Sequence, residues 1–230
     1  IKVNDIYDGT ETSINNVFTN INLGTSAIKN LSRILSIKSF DNNVVATSEL
    51  TTRVTEGTTT IYVTVEVSSS ILLLPEVPMT GRLDNPRVGY FTNPLTNFSD
   101  GQQRVNKKQF ITRWRLEPRP EDRAAYLRGE LVEPRKPIVF YIENSTPYRW
   151  RKYIKQGIED WQVAFERAGF KNAIIAKDIT EDMEVDMDDV NYSVLTYAAS
   201  TKANAMGPSI LDPRSGEILE ADIMWWHNVL

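Results

Sequence analysis

Pro137-Ile138-Val139-Phe140-Tyr141-Ile142 is a short continuous apolar run, and together with the helix signals downstream of it this run decides the fold. Such a run between turn signals suits a strand buried in a sheet. Thr146-Pro147 next supplies an N-cap and a proline at the first helical position, where the missing N–H costs nothing. Trp150, Tyr153, Ile154, Gly157, Ile158, Trp161, Phe165 and Ala168 then recur at steps of three and four, which predicts one helix with its aromatic stripe in a core. Gly169 fits the left-handed residue that ends a helix, and Phe170 the position that packs back on its last turn. Ala173-Ile174-Ile175-Ala176 reads as the second strand. Residues 137–176 thus predict a parallel, right-handed strand–helix–strand unit.

C-terminal to this unit, residues 178–189 carry Asp178, Glu181, Asp182, Glu184, Asp186, Asp188 and Asp189. Their spacing matches no EF-hand loop and lacks its central glycine, so a solvated acidic loop is expected over a calcium site. Ser193 to Ala198 is a third strand. Asp212-Pro213-Arg214-Ser215-Gly216 is a turn, and Glu217 to Trp226 reads as a partly alternating strand.

N-terminal to the unit, residues 75–137 are punctuated by prolines and rich in arginine, and long regular elements are not expected there. Arg104, Lys107, Lys108, Arg113, Arg115, Arg119, Arg123 and Arg128 would suit a nucleic-acid groove. Glu117, Glu121, Asp122, Glu130 and Glu133 are interleaved with them, which favours ion pairs. From Ile1 to about Pro75 the period changes to two. Leu31, Arg33, Leu35 and Ile37 alternate with Ile34, Ser36 and Lys38, Val44 to Val54 is the next strand, and Ile61, Val63, Val65 and Val67 alternate with Tyr62, Thr64, Glu66 and Ser68. Glu56-Gly57 is a hairpin signal. These patterns predict an antiparallel sheet with one wet face.

Composition excludes several chemistries. The 230 residues contain no cysteine and one histidine, His227. Disulfides, cysteine nucleophiles and thiolate metal sites are therefore out of reach, as is any zinc site needing two or three imidazoles, the H-E-x-x-H helix included. Serine–histidine catalysis would require His227 as its base. Hydrophobic residues make up 41% and charged residues 24%, with a net charge of −4, the balance of an ordinary globular protein. That balance gives no reason to expect nucleic acid or an anionic membrane as partner. No stretch approaches the ~20 apolar residues of a membrane span. The chain opens on Ile1 without a signal peptide, as expected of a mature or excised piece.

Several blocks in order carry a resemblance: Leu73-Leu74-Pro75-Glu76-Val77-Pro78-Met79, Arg87-Val88-Gly89-Tyr90-Phe91, Arg113-Trp114-Arg115-Leu116-Glu117-Pro118, Gly129-Glu130-Leu131-Val132-Glu133-Pro134, Pro137-Ile138-Val139-Phe140-Tyr141, Ala164-Phe165-Glu166-Arg167-Ala168-Gly169-Phe170, Asn204-Ala205-Met206-Gly207-Pro208 and Asp212 to Ile218. Together they resemble the large bacterial zinc-dependent metallopeptidases typical of Bacteroidetes, in which a β-rich domain of unassigned function precedes a metzincin-like catalytic domain. Residues 1–70 fit mainly by character. The resemblance implies an α+β chain with three parts: an antiparallel β-rich domain at 1–100, a Pro/Arg-rich ordered connector at 101–136, and the N-terminal part of a metzincin-like catalytic domain at 137–230.

In that family the zinc-binding helix comes after the strands seen here, and it is not among these residues. Zinc is thus expected in the parent protein, with no cofactor, metal ligand or catalytic residue in this chain. The strand before the zinc helix is expected at the sheet edge, where an extended peptide adds to it; its candidates are Glu220, Ala221, Asp222, Ile223 and Met224. His227 is read as a structural histidine, or one that supports a metal ligand from behind, over an unexpected ligand. The implied partners are the remainder of the catalytic domain and a peptide or protein substrate, in the cell envelope or secreted. A half-formed domain should expose an apolar patch, legible in the burial of Trp225, Trp226 and Leu230. The competing expectation is a noncatalytic β-rich module that recognises protein or glycan.

Overall fold

The computed structural model describes residues 7, 17–24, 26–98, 100–101 and 103–229; Leu230 lies outside them. The fold is of mixed α+β class and mostly β. Contacts divide the chain into two compact units, 1–73 and 74–230, the break falling where the period-two pattern stops.

In the first unit, α1 (Val17–Asn20) and a 3₁₀ turn at Lys29–Leu31 precede β1 (Arg33–Ser39), β2 (Asn43–Glu56) and β3 (Thr59–Leu72), an antiparallel sheet in that order. The hairpin signal is realised at Gly57, whose φ of 61° suits a primed two-residue turn. The Ile61/Val63/Val65/Val67 row of β3 lies opposite Val54, Thr52, Leu50 and Ser48, with Leu50 fully buried. The alternate rows carry hydroxyl pairs, Thr51 with Thr64 at 2.9 Å and Thr47 with Ser68 at 3.3 Å. The expected Leu31/Arg33/Leu35/Ile37 row is corrected by the structure. Leu31 sits in the 3₁₀ turn, and a bulge between Ile34 and Ser36 makes Leu35 an extra residue, so Ile34 and Ile37 share a face instead.

The second unit begins with a connector whose arginines tie it to neighbouring backbone. Arg113 Nη2 donates to Thr80 O (2.8 Å) and Arg115 Nη1 to Val77 O (3.0 Å). Ion pairs join Arg115 to Glu117, Arg119 to Glu133 and Arg128 to Glu130. Its elements are short: β4 (Thr92–Asn97), β5 (Asn106–Ile111), β6 (Arg113–Trp114) and α2 (Arg123–Leu127). β4 and β5 form an antiparallel hairpin across the boundary expected at residue 100.

Next comes the strand–helix–strand unit. β7 (Ile138–Ile142) runs parallel to β8 (Ile174–Asp178), and the segment between them forms α3 (Tyr148–Glu159) and α4 (Gln162–Arg167). Two features differ from the expected single helix. First, Asp160 and Trp161 interrupt it with αR backbone and tighter bonding, such as Trp161 N–H to Ile158 O at 3.4 Å. Second, Thr146 does not cap: helix α3 starts at Tyr148 with Pro147 at the cap position, and the buried Thr146 hydroxyl has no partner among the described residues. The C-terminus is as expected. Gly169 adopts φ 94°, Phe170 N–H donates to Phe165 O (2.9 Å), and Phe170 is buried against Tyr126.

Ile138, Phe140, Ile158, Ala176 and Leu195 form the core between helix and sheet, and Ile154 and Phe165 pack against it. The aromatic stripe is only partly core, because Tyr153 and Trp161 remain about two-thirds exposed, at 67% and 65%. β9 (Ser193–Ala198) is the predicted third strand. β10 (Ala205–Met206), β11 (Ser209–Asp212), β12 (Glu217–Ala221) and β13 (Ile223–Trp226) complete the unit. The expected strand over Glu217–Trp226 is in fact two strands in two sheets. β12 lies between β11 and β6, whereas β13 belongs to a five-stranded sheet ordered β10-β13-β9-β7-β8. In that sheet β8, β7, β9 and β13 are parallel and β10 alone is antiparallel. No helix among the described residues is long and apolar enough to cross a membrane.

Candidate functional site

The turn at Asp212–Gly216 feeds β12 into the sheet switch. Asp212 is fully buried, and Arg214 grips its carboxylate with Nε and Nη2, the latter 2.7 Å from Oδ2. The Arg214 hydrogen bonds hold the Asp212 carboxyl below its usual range, against the opposing effect of burial. Arg214 Nη2 also donates to Pro75 O (2.6 Å), so one side chain fixes the turn to the start of the connector. Gly216 has φ 75°, and a Cβ there would stand 2.5 Å from Ile111 O, which leaves glycine as the residue that fits. Nearby, Glu217 is buried and its carboxyl is raised by desolvation, with Arg115 opposing.

At the switch itself the candidate residues separate. Glu220 and Ala221 end β12, Ile223 and Met224 begin β13, and Asp222 lies between them. Glu220 is buried, and its carboxyl is pushed up to about 8 by desolvation first, then by hydrogen bonding to and repulsion from Asp222. Asp222 Oδ1 accepts the Val194 N–H at 2.8 Å, and Ser193 Oγ accepts the Ala221 N–H at 3.1 Å, so both strand ends are pinned to β9. A Glu220 that keeps its proton can donate to the Asp222 carboxyl. The pair is a fastener at a sheet crossover, and Glu220 Oε1 is left without a partner among the described residues.

β13 has β9 on one side and β10 on the other. Met224 faces Met206 and Trp225 faces Ala205, while Asp222 N–H and Trp226 N–H donate to Pro208 O and Asn204 O. The outer edge here therefore belongs to residues 204–208, with Ala205 and Met206 exposed. His227 comes directly after β13 in a 3₁₀ turn, its Nδ1 joined to the Tyr197 hydroxyl and its ring edge-on to Tyr197, which itself meets Trp225 edge-on.

One face of the five-stranded sheet carries an open apolar groove of about 540 Å³. It runs from Ile174 on β8 past Leu195 and Ile223 to Ala205 on β10, with Ile154, Trp161 and Phe165 of the helices along it. Trp225 lines it half-buried, whereas Trp226 is buried. The exposed patch was expected at Trp225, Trp226 and Leu230; Trp226 is buried, Leu230 lies outside the described residues, and the groove is walled instead by Trp161 and other helix residues.

A zinc centre does not fit the residues present. The single imidazole is engaged by Tyr197, and among the described residues no three His, Cys, Asp or Glu side chains gather where they could hold a metal ion.

The family described as Domain of unknown function (DUF5117) matches residues 1–119, just over half of the chain. The chain belongs to the DUF5117 family. Within this DUF5117 protein the match covers the three-stranded sheet, the β4–β5 hairpin and β6, and it stops ahead of β7. The groove's main walls on β7 to β13 and α3–α4 thus lie outside the DUF5117 match. No curated protein and no solved structure matches the chain.

Proposed function

We propose that residues 137–230 form the scaffold part of a zinc-dependent metallopeptidase catalytic domain, preceded by the DUF5117 region, and that the apolar groove seats the remainder of that domain. The observation that carries this reading is the open apolar face beside α3 and α4. A finished domain would cover such a face, since burying apolar surface contributes about 25 cal/mol per Å². The succession β7, helix pair, β8, β9 and the edge strand β10 is the order that the resemblance implies, which supports this reading. Zinc and the general base would come from the helix that the resemblance implies, and this chain's own residues would hold the sheet and the cleft edge.

Substrate alignment falls to β10 in this reading. It is the antiparallel edge, whereas within the stretch from Glu220 to Met224 Glu220 is buried and Met224 is paired on both sides. An extended peptide could add to the outward backbone groups of Gly207 and the Ala205 carbonyl, the Ala205 N–H being held by Asn204 Oδ1 at 2.9 Å. The chain would then act in the cell envelope or outside the cell. The test uses the complete gene product. Chelator-sensitive peptide hydrolysis is expected, and Gly207→Pro, which removes an outward N–H, should lower kcat/KM by roughly tenfold with zinc content unchanged. An inert gene product without zinc would favour a noncatalytic module that recognises protein or glycan.

A further inference from the structure

β3 is the outer strand of the first unit's sheet. Its register with β2 decides which backbone groups face outward. Glu56 and Thr59 flank the two-residue turn as a hydrogen-bonded pair, and at the far end Leu73 N–H donates to Asn42 O at 2.8 Å. Odd-numbered residues of β3 therefore bond to β2. Thr60, Tyr62, Thr64, Glu66, Ser68 and Ser70 turn their N–H and C=O groups away, and among the described residues these outward groups meet no backbone partner.

Natural sheet edges are blunted by charge, proline or bulges. β1 is blunted in this way by Arg33, Lys38 and its bulge at Leu35. β3 runs for 14 residues without proline or bulge, and Glu66 is its one charge. Ile61 and Tyr62 on it are 53% and 62% exposed. Such an edge is a template for another strand.

We propose that β3 pairs with β3 of a second copy of this chain, antiparallel about a two-fold axis at Val65, joining two three-stranded sheets into one. Axes at Val65 and at Glu66 give equally long overlaps. An axis at Glu66 sets the two carboxylates directly opposite, which is unfavourable. An axis at Val65 sets Glu66 against Thr64, Tyr62 against Ser68 and Val63 against Val67, and keeps the valine row continuous across the joint. Six outward-facing residues on each strand then form six narrow pairs with two bonds each, about twelve backbone hydrogen bonds. A second copy fits better than an unrelated strand because the pattern is self-complementary about Val65.

The absence of cysteine makes the register directly readable. At the axis the two Cα atoms of a wide pair lie about 4.5 Å apart, within disulfide reach. Sedimentation at rising concentration, up to about 100 µM, should show monomer converting to dimer. Val65→Cys should cross-link under oxidant, and Ile37→Cys on β1 should not. Thr64→Pro removes an outward N–H at a place where an edge strand tolerates proline, so it should weaken dimerisation at least about tenfold with the circular dichroism spectrum retained. A chain that stays monomeric, a dimer indifferent to Thr64→Pro, or cross-linking stronger at Glu66→Cys than at Val65→Cys overturns the proposal.

Discussion

Glu220 and Asp222 show how two acids can hold a crossover together. The Glu220 carboxyl is raised from its ordinary 4.5 to about 8, so it keeps its proton where the unfolded chain has lost it. Between those two values the native state binds more protons, and stability falls as pH rises; the contribution is fully present below about 4.5 and lost above about 8. Glu220→Gln keeps a donor to Asp222 and removes the titration. Its stability relative to the parent should rise by about 1–3 kcal/mol between pH 4.5 and pH 8, as read by denaturant melts. Parallel pH profiles would show that the proton is not held there. Asp212 works in the opposite sense. Its carboxyl is held below 3.8, so the Arg214 pairing contributes at neutral pH and is lost as pH falls through the lowered value. Arg214→Ala leaves the fully buried Asp212 carboxylate with the residue-214 backbone N–H but no cation, and should lower the denaturant midpoint at pH 7, the loss shrinking in acid. The turn that carries both residues is legible in Asp212-Pro213 and Gly216; the ion pair is not, because burial depends on segments 139 positions apart, as in the Arg214–Pro75 contact.

Elements were legible where their signals are local. The Gly169-Phe170 ending is one such case, since a left-handed residue and a hydrophobic latch need only their own helix. The hairpin at Gly57 is another. Thr146 shows the limit: a side chain that caps many helices is here buried without a partner among the described residues, while Arg151 donates to its carbonyl (3.0 Å) and to that of Asn144 (2.9 Å), so another residue ties down the turn. The Glu217–Trp226 alternation hid a change of sheet for a similar reason. A period of two looks the same whether one strand continues or two strands meet, and Glu220 and Asp222 alternate with Ala221, Ile223 and Trp225 straight through the crossover. Gln162 was missed altogether. Its Oε1 accepts the Ala173 N–H (2.9 Å) and its Nε2 donates to Phe170 O (3.1 Å), so one side chain closes the loop between α4 and β8. Gln162→Ala should cost about 1–3 kcal/mol, because fully buried Ala173 would keep its N–H without a partner. A thermal melt unchanged from the parent's would show that water replaces the amide.

At the scale of the molecule, two units differ in what they expose. The first carries an unblunted strand edge, and the second an apolar sheet face flanked by α3 and α4. The change of period near Pro75 falls at the division between the units, whereas the first domain was expected to run to residue 100, and the cysteine-free, single-histidine composition speaks only against zinc sites built from thiolates or several imidazoles. The groove itself depends on how the helix pair crosses the sheet, which no periodicity states. If that groove seats the rest of a catalytic domain, Trp161 must pass from two-thirds exposed to covered when the rest is present. Oxidative footprinting of Trp161, compared between residues 1–230 alone and the complete gene product, measures this directly. Protection of Trp161 by several-fold in the complete protein is the predicted result. Equal modification in both would contradict a seat for further catalytic structure on this face.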